Sequence, residues 1–157
     1  NYDGEHGNFK ANYQANLIKS AREVLANLNK QNISIIDARP EGRFHGTAPE
    51  PRAHLKNGHI PGSQNLPSLK IIKDGKLLPV ENLKDIYGTL NLENKEIIFS
   101  CGSGITACVI ALGAEVVGYN SKAIFDGSWT EWGNGEYPVE KWTSWIYQKK
   151  VISIIKE

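Results

Sequence analysis

The stretch Glu96-Ile97-Ile98-Phe99-Ser100-Cys101-Gly102-Ser103-Gly104-Ile105-Thr106-Ala107-Cys108-Val109-Ile110-Ala111-Leu112 decides the fold. Its first five residues read as a short buried strand. A turn with two glycines follows, and then a helical apolar run. Strand, tight turn and helix are the building unit of an α/β domain with a mostly parallel sheet. The same stretch carries chemistry. Glycines let successive N–H groups curl inward, and the helix start adds the positive end of its dipole. Such a cradle holds an anion. With Cys101 at its rim, that anion is a thiolate or something the thiolate carries. A helix N-terminus lowers a cysteine pKa from about 8.5 to roughly 3.5–7.5 in favourable cases.

Outward from this unit, strands and helices alternate. A helix is expected from about Asn16, with Leu17, Ala21, Val24, Leu25 and Leu28 on one face. Ile33-Ser34-Ile35-Ile36-Asp37 reads as a buried strand, followed by a long segment, 38–62, rich in Pro, Gly, Arg and His. Gln64-Asn65-Leu66-Pro67 is a brief extended piece. Residues 70–78 suit a small hairpin around Asp74-Gly75, with an irregular excursion as the alternative. A helix is expected over 80–90, with Leu83, Ile86, Tyr87 and Leu90 on one side. Another is expected from Thr106 to Val117, capped by Gly118. Lys122-Ala123-Ile124-Phe125 is a further strand. Three segments result: a polar lead-in over 1–12, a domain over 13–140, and a tail over 141–157. In that tail Trp142, Trp145, Ile146, Val151, Ile152 and Ile155 suggest an apolar helical stripe. In parallel sheets ligands bind beyond the strand carboxyl ends. Cys101 and the segment after Ile36 both lie there.

The chain has 157 residues, enough for one domain with a core. A formal net charge of +1 provides no global field for nucleic acid or an anionic membrane, so anion recognition falls to local groups. No apolar run approaches the ~20 residues of a bilayer span. The start, Asn1-Tyr2-Asp3-Gly4-Glu5-His6, does not have the make-up of a signal peptide. The absence of methionine suggests a processed chain or a domain cut from something longer. The two cysteines, Cys101 and Cys108, are separated by about 10 Å if helical, beyond the ~7 Å limit for a bridge. Free thiols fit a reducing compartment, cytoplasmic or an organelle matrix.

Arg43 and Arg52 sit on a segment stiffened by Pro40, Pro49 and Pro51. A guanidinium fork suits carboxylates, so the two are candidates to clamp a small acid beside Cys101. Solvated surface arginines are the plain alternative. Asp37, at a strand end, suits the anchoring of local backbone N–H groups. His45, His54 and His59 match no common zinc spacing, and no metal is expected. Cysteine-phosphatase chemistry is disfavoured, because its anion loop needs an arginine where this chain has Ala107.

Three motifs, Asp37-Ala38-Arg39-Pro40-Glu41-Gly42-Arg43-Phe44 through Glu50-Pro51-Arg52, Gly58-His59-Ile60-Pro61-Gly62-Ser63, and Cys101-Gly102-Ser103-Gly104-Ile105-Thr106-Ala107, together resemble the rhodanese superfamily. A fourth, Phe125-Asp126-Gly127-Ser128-Trp129-Thr130-Glu131-Trp132, resembles that family's segment near the domain end. The nearest resemblance is to the C-terminal catalytic domain of 3-mercaptopyruvate sulfurtransferases. It implies a rhodanese-like α/β fold and no cofactor. It implies a sulfur relay in which Cys101 takes the donor's sulfur as a persulfide and passes it to a thiol, thioredoxin or cyanide. Gly102, Ser103, Gly104, Ile105 and Thr106 would stabilise the persulfide, with Arg43 and Arg52 binding the substrate carboxylate. The neutral Gly102-Ser103 pair resembles mercaptopyruvate enzymes, where thiosulfate enzymes carry Arg and Lys. The family's two-domain members imply an N-terminal rhodanese-like partner domain absent from this sequence. The alternative is a rhodanese-like binding module whose cysteine is idle.

Overall fold

The computed structural model of the chain describes residues 7–141. Along the chain the elements are β1 (Ile18–Lys19), α1 (Ala21–Asn27), β2 (Ile33–Asp37), α2 (Glu41–His45), β3 (Gln64–Asn65), β4 (Ile72–Lys73), β5 (Lys76–Leu77), α3 (Val80–Gly88), β6 (Glu96–Ser100), α4 (Ile105–Val116), β7 (Lys122–Phe125) and α5 (Ser128–Trp132). Residues 7–12 are exposed and irregular. The expected apolar helix of the tail lies outside the described residues.

β2 and β6 form the centre of a parallel sheet ordered β1-β7-β6-β2-β3. Each buries four residues in a row, which requires cover on both faces. Ile36, Ile97 and Phe99 meet Leu83 and Tyr87 of α3 and Ala107, Ile110 and Ala114 of α4. On the other face Ile35, Ile98 and Phe125 meet Ala21 and Val24 of α1 and Trp129 and Trp132 of α5. The result is three layers, helices over sheet over helices, as the alternating pattern predicts.

The first helix departs from its expected start. The Ser20 hydroxyl accepts from the Glu23 amide while the Glu23 carboxylate accepts from the Ser20 amide. This capping box starts α1 at Ala21. Ile18 and Lys19 are then free to pair with Ile124 and Phe125 as an edge strand. In the long segment, Glu41–His45 forms the short α2, stopped by Gly46 at φ +74°. The hairpin forms as expected, Asp74 and Gly75 taking φ +51° and +74°. α4 ends in a Schellman cap: Gly118 N–H bonds Glu115 C=O, and Tyr119 N–H bonds Ala114 C=O.

One topological feature positions the site. From β2 the chain moves outward to β3, whereas from β6 it moves the other way to β7. Adjacent strands whose continuations part leave a crevice at their carboxyl ends, the usual ligand site of open α/β sheets. Asp37 and Ser100 are paired at those ends, so Ala38 and Cys101 emerge side by side.

Candidate active site

Cys101 follows the last residue of β6 and is 1% exposed. Its side chain continues the alternation of Ile97 and Phe99 toward the α4 face. Burial alone would push its thiol pKa up. The Thr106 hydroxyl and the amides of Ala107, Ser103 and Gly104 all turn toward the sulfur, and together they lower it. No side chain caps the helix at Gly104, so the first-turn amides of α4 stay available to the sulfur. Gly104 adopts φ +87°, and a Cβ there would come 3.0 Å from the Asp126 carbonyl. The turn therefore needs glycine on two counts.

A second layer holds the loop from behind. Ser128 Oγ accepts the Cys101 N–H at 3.1 Å and donates to Phe125 O at 2.8 Å. The Trp129 amide donates to Cys101 O, and the Thr130 amide and hydroxyl both donate to Gly102 O. Ser128 holds φ +47°, an uncommon conformation for a non-glycine residue, at the point where it receives the Cys101 amide.

Of the expected loop residues, Ser103 and Gly104 direct amides to the sulfur, and Thr106 its hydroxyl. Gly102 turns its carbonyl to Thr130, and Ile105 is 74% exposed on the rim. Ala107, one residue past the expected loop, supplies a further amide. A cleft of about 450 Å³ opens over Cys101, lined also by Ala38, Arg39, Pro40, Arg43, Ser68 and Leu69. Arg43 enters it beside Gly102: a Cβ on that residue would lie 3.2 Å from Arg43 Nη2. Arg52 is exposed and is not among the residues lining the cleft. Its Nη1 donates to Thr130 Oγ1 at 2.6 Å, which puts Arg52 two hydrogen bonds from the Gly102 carbonyl.

Behind Arg43 lies a charged ladder, of which only Asp37 was expected to act, as an anchor for backbone N–H groups. Arg39 is buried and stacks over Trp129, its guanidinium carbon 4.1 Å from the ring centroid. It holds Asp37 with Nε and Nη2, Glu50 with Nη1 at 2.9 Å, and Gly58 O with Nη2. Asp37 also accepts the Arg39 backbone N–H at 2.9 Å. Glu50 in turn takes Arg43 Nε and Nη2, the latter at 2.6 Å. The signal available was Asp37 and Arg39 two residues apart at a strand end. Glu50, eleven residues on from Arg39 in a Pro-rich segment, gave none. Among the described residues no group of three or more His, Cys, Asp or Glu is disposed to hold a metal. No described helix is long and apolar enough to cross a membrane.

A parallel sheet with a cysteine in an amide-lined turn at its switch point defines a class of cysteine-bearing α/β domains. Comparison with known proteins gives the class its family. The rhodanese-like domain family matches residues 20–134, and the chain belongs to that family. The chain is 38% identical over 130 residues to the 3-mercaptopyruvate sulfurtransferase of Mus musculus, covering 82% of this chain and 44% of that protein. To the thiosulfate sulfurtransferase of Bos taurus it is 40% identical over 139 residues, covering 87% and 46%. Among solved structures, the sulfur transferase subunit of yeast mitochondrial complex I superposes with a TM-score of 0.74 at 38% identity, over 82% of this chain and 47% of that one. The chain thus spans about half the length of the curated relatives it matches.

Proposed function

We propose that this domain is a sulfurtransferase that moves the sulfur of 3-mercaptopyruvate through a Cys101 persulfide to a thiol, thioredoxin or cyanide acceptor. The observation carrying this reading is the thiol itself. Cys101 is buried, yet its pKa is lowered, because the Thr106 hydroxyl and three amides favour its charged form. A lowered thiol pKa raises the share of thiolate, and the thiolate is the nucleophile. In the reaction, Cys101 Sγ attacks the donor sulfur and the carbon–sulfur bond breaks. The electron pair leaves on pyruvate enolate, which takes up a proton. The outer sulfur then lies within the same donors that held the thiolate. Attack by the acceptor on that sulfur returns Cys101.

Arg43 lies on the cleft wall and is assigned the substrate carboxylate. Arg52 is assigned a supporting role in the same recognition, from its place beside Thr130. The neutral Gly102-Ser103 pair supports a carboxylate donor over thiosulfate as the better substrate, although both names occur among the relatives. Sequence coverage supports a second rhodanese-like domain as the partner that walls the cleft.

The test is intact-mass analysis after incubation with 3-mercaptopyruvate. The expected result is a gain of one sulfur atom on the wild type and none on Cys101→Ser. An unmodified wild-type chain whose thiol alkylates with an ordinary pH profile would support an idle binding module and sink the proposal. Arg43→Ala is expected to raise KM for mercaptopyruvate far more than for an uncharged sulfur donor.

A further inference from the structure

Of the two arginines that line the cleft, Arg43 is the more exposed, and it too belongs to the buried ladder. Both Glu50 oxygens face its Nε–Nη2 edge, with Nη2 to Oε2 at 2.6 Å and Nε to each oxygen at 3.2 Å. The Glu50 side chain is 1% exposed, against 23% for Arg43. Glu50 therefore stands behind the arginine, away from solvent, while the arginine reaches forward to the cleft. One step deeper the pattern repeats, with Asp37 taking the charge of Arg39. Asp37, Arg39, Glu50 and Arg43 carry two negative and two positive charges in alternation. Lys70, next in sequence to Leu69 of the cleft wall, is paired with Glu41 on the surface. Each of these cations is thus matched by a carboxylate, so little net positive charge reaches the sulfur.

We infer that Glu50 sets donor specificity: by neutralising Arg43 from behind, its carboxylate tunes the cleft to donors with one negative charge and against donors with two. The inference rests on the sulfurtransferase reading for its substrates but not for its electrostatics. With its Nε–Nη2 edge engaged by Glu50, Arg43 keeps only its remaining N–H groups for a donor carboxylate. A dianion would need an uncompensated cation, and Glu50 removes it. Glu50 touches no reacting atom in this arrangement. It is a positioning and charge-setting residue that acts through Arg43.

The substitution that tests this is Glu50→Gln, which keeps the shape and part of the hydrogen bonding and deletes the charge. An unbalanced positive charge at a half-exposed site favours a dianion over a monoanion by about fivefold. The expected result is a rise of about that size in the ratio of kcat/KM for thiosulfate to kcat/KM for 3-mercaptopyruvate. Equal losses for both donors would mean a purely structural role and overturn the inference.

A second readout needs no turnover. Cys101 is alkylated with iodoacetate, an anion, and with iodoacetamide, which is neutral and nearly isosteric. The iodoacetate-to-iodoacetamide rate ratio is expected to rise about fivefold in Glu50→Gln. If that variant does not fold, the wild type still decides. Its rate ratio is expected within about threefold of that of free mercaptoethanol, as a balanced cleft requires. A wild-type preference for iodoacetate of about tenfold or more would mean an uncompensated cation and would refute the inference. Absent turnover with an intact alkylation effect would fault the proposed reaction and leave the role of Glu50 standing.

Discussion

Cys101 owes its lowered pKa to donors that come from its own turn. Burial opposes the charge, and the Thr106 hydroxyl with the Ala107, Ser103 and Gly104 amides overcomes that opposition. Amides cannot be deleted by substitution, but Thr106 can. Thr106→Val removes one hydroxyl donor at nearly constant shape. The thiol pKa is expected to rise, since the thiolate loses a bond that the neutral thiol does not need. A hydrogen bond to a charged group is worth about 1.5–3 kcal/mol. Alkylation of Cys101 by iodoacetamide at pH 7 is therefore expected to slow by roughly tenfold or more, with the pH profile moved upward, and Thr106→Ser is expected to restore it. An unchanged profile in Thr106→Val would assign the lowered pKa to the backbone alone. Cys101 and its turn were legible in the sequence because all these donors lie within six residues. Arg39, Glu50, Ser128 and Thr130 were not legible as working parts. The Arg39–Glu50, Ser128–Cys101 and Thr130–Gly102 pairings span eleven to twenty-eight residues, and nothing local marks them.

At the scale of elements, the strands best read from sequence were those buried on both faces. β2 and β6 fall where apolar runs place them, because burial on two faces leaves no room for alternation. β1 was hidden: two residues of edge strand next to a capping box look like the start of the helix that follows. α4 shows an apparent local mistake with a tertiary cause. Gly113 sits in mid-helix, where glycine costs about 1 kcal/mol relative to alanine. A Cβ at that position would lie 2.6 Å from Tyr87 Oη and 3.0 Å from Ile71 Cδ1. Tyr87 cannot yield, because its hydroxyl is tied to the Ile110 carbonyl inside the core. Its own pKa is pushed well up by that burial. Gly113→Ala is thus expected to destabilise by about 1–3 kcal/mol in urea unfolding, overpacking outweighing the gain in helix propensity. Combined with Tyr87→Phe, which removes the closest atom, its added cost is expected to shrink. An equal cost in both backgrounds would place the clash elsewhere. Since α4 supplies the Thr106 hydroxyl and the Ala107 amide facing Cys101, Gly113 lets α3 and α4 pack closely enough to hold the turn in place.

Across the whole molecule, the C-terminal end of the domain is tied to the arginine-bearing segment through His59. Its amide and carbonyl form an antiparallel bridge with Glu140. Its ring stacks on Phe44 with centroids 3.9 Å apart, and Nδ1 lies 2.7 Å from Phe44 O. A carbonyl only accepts, so Nδ1 carries the proton and Nε2 is bare in the neutral ring. Burial pulls the His59 pKa below its ordinary value near 6.5, against the pull of the Phe44 carbonyl and of the Glu140, Asp37 carboxylates. Between that ordinary value and the lower folded one, the unfolded chain binds a proton that the folded protein does not. Stability then rises with pH through this window. The contribution is complete above about pH 6.5 and is lost as pH falls toward the folded pKa, at no more than about 1.4 kcal/mol per pH unit for one proton. His45, lowered chiefly by burial, acts in the same direction. The urea midpoint is expected to fall between pH 7.5 and 5.5 in the wild type. In His59→Asn, whose amide still reaches a carbonyl but does not titrate, the fall is expected to be smaller. An equal fall in both proteins would assign the acid sensitivity to other groups. Because Phe44 adjoins Arg43, acid that loosens His59 is also expected to raise KM for a carboxylate donor before the domain unfolds.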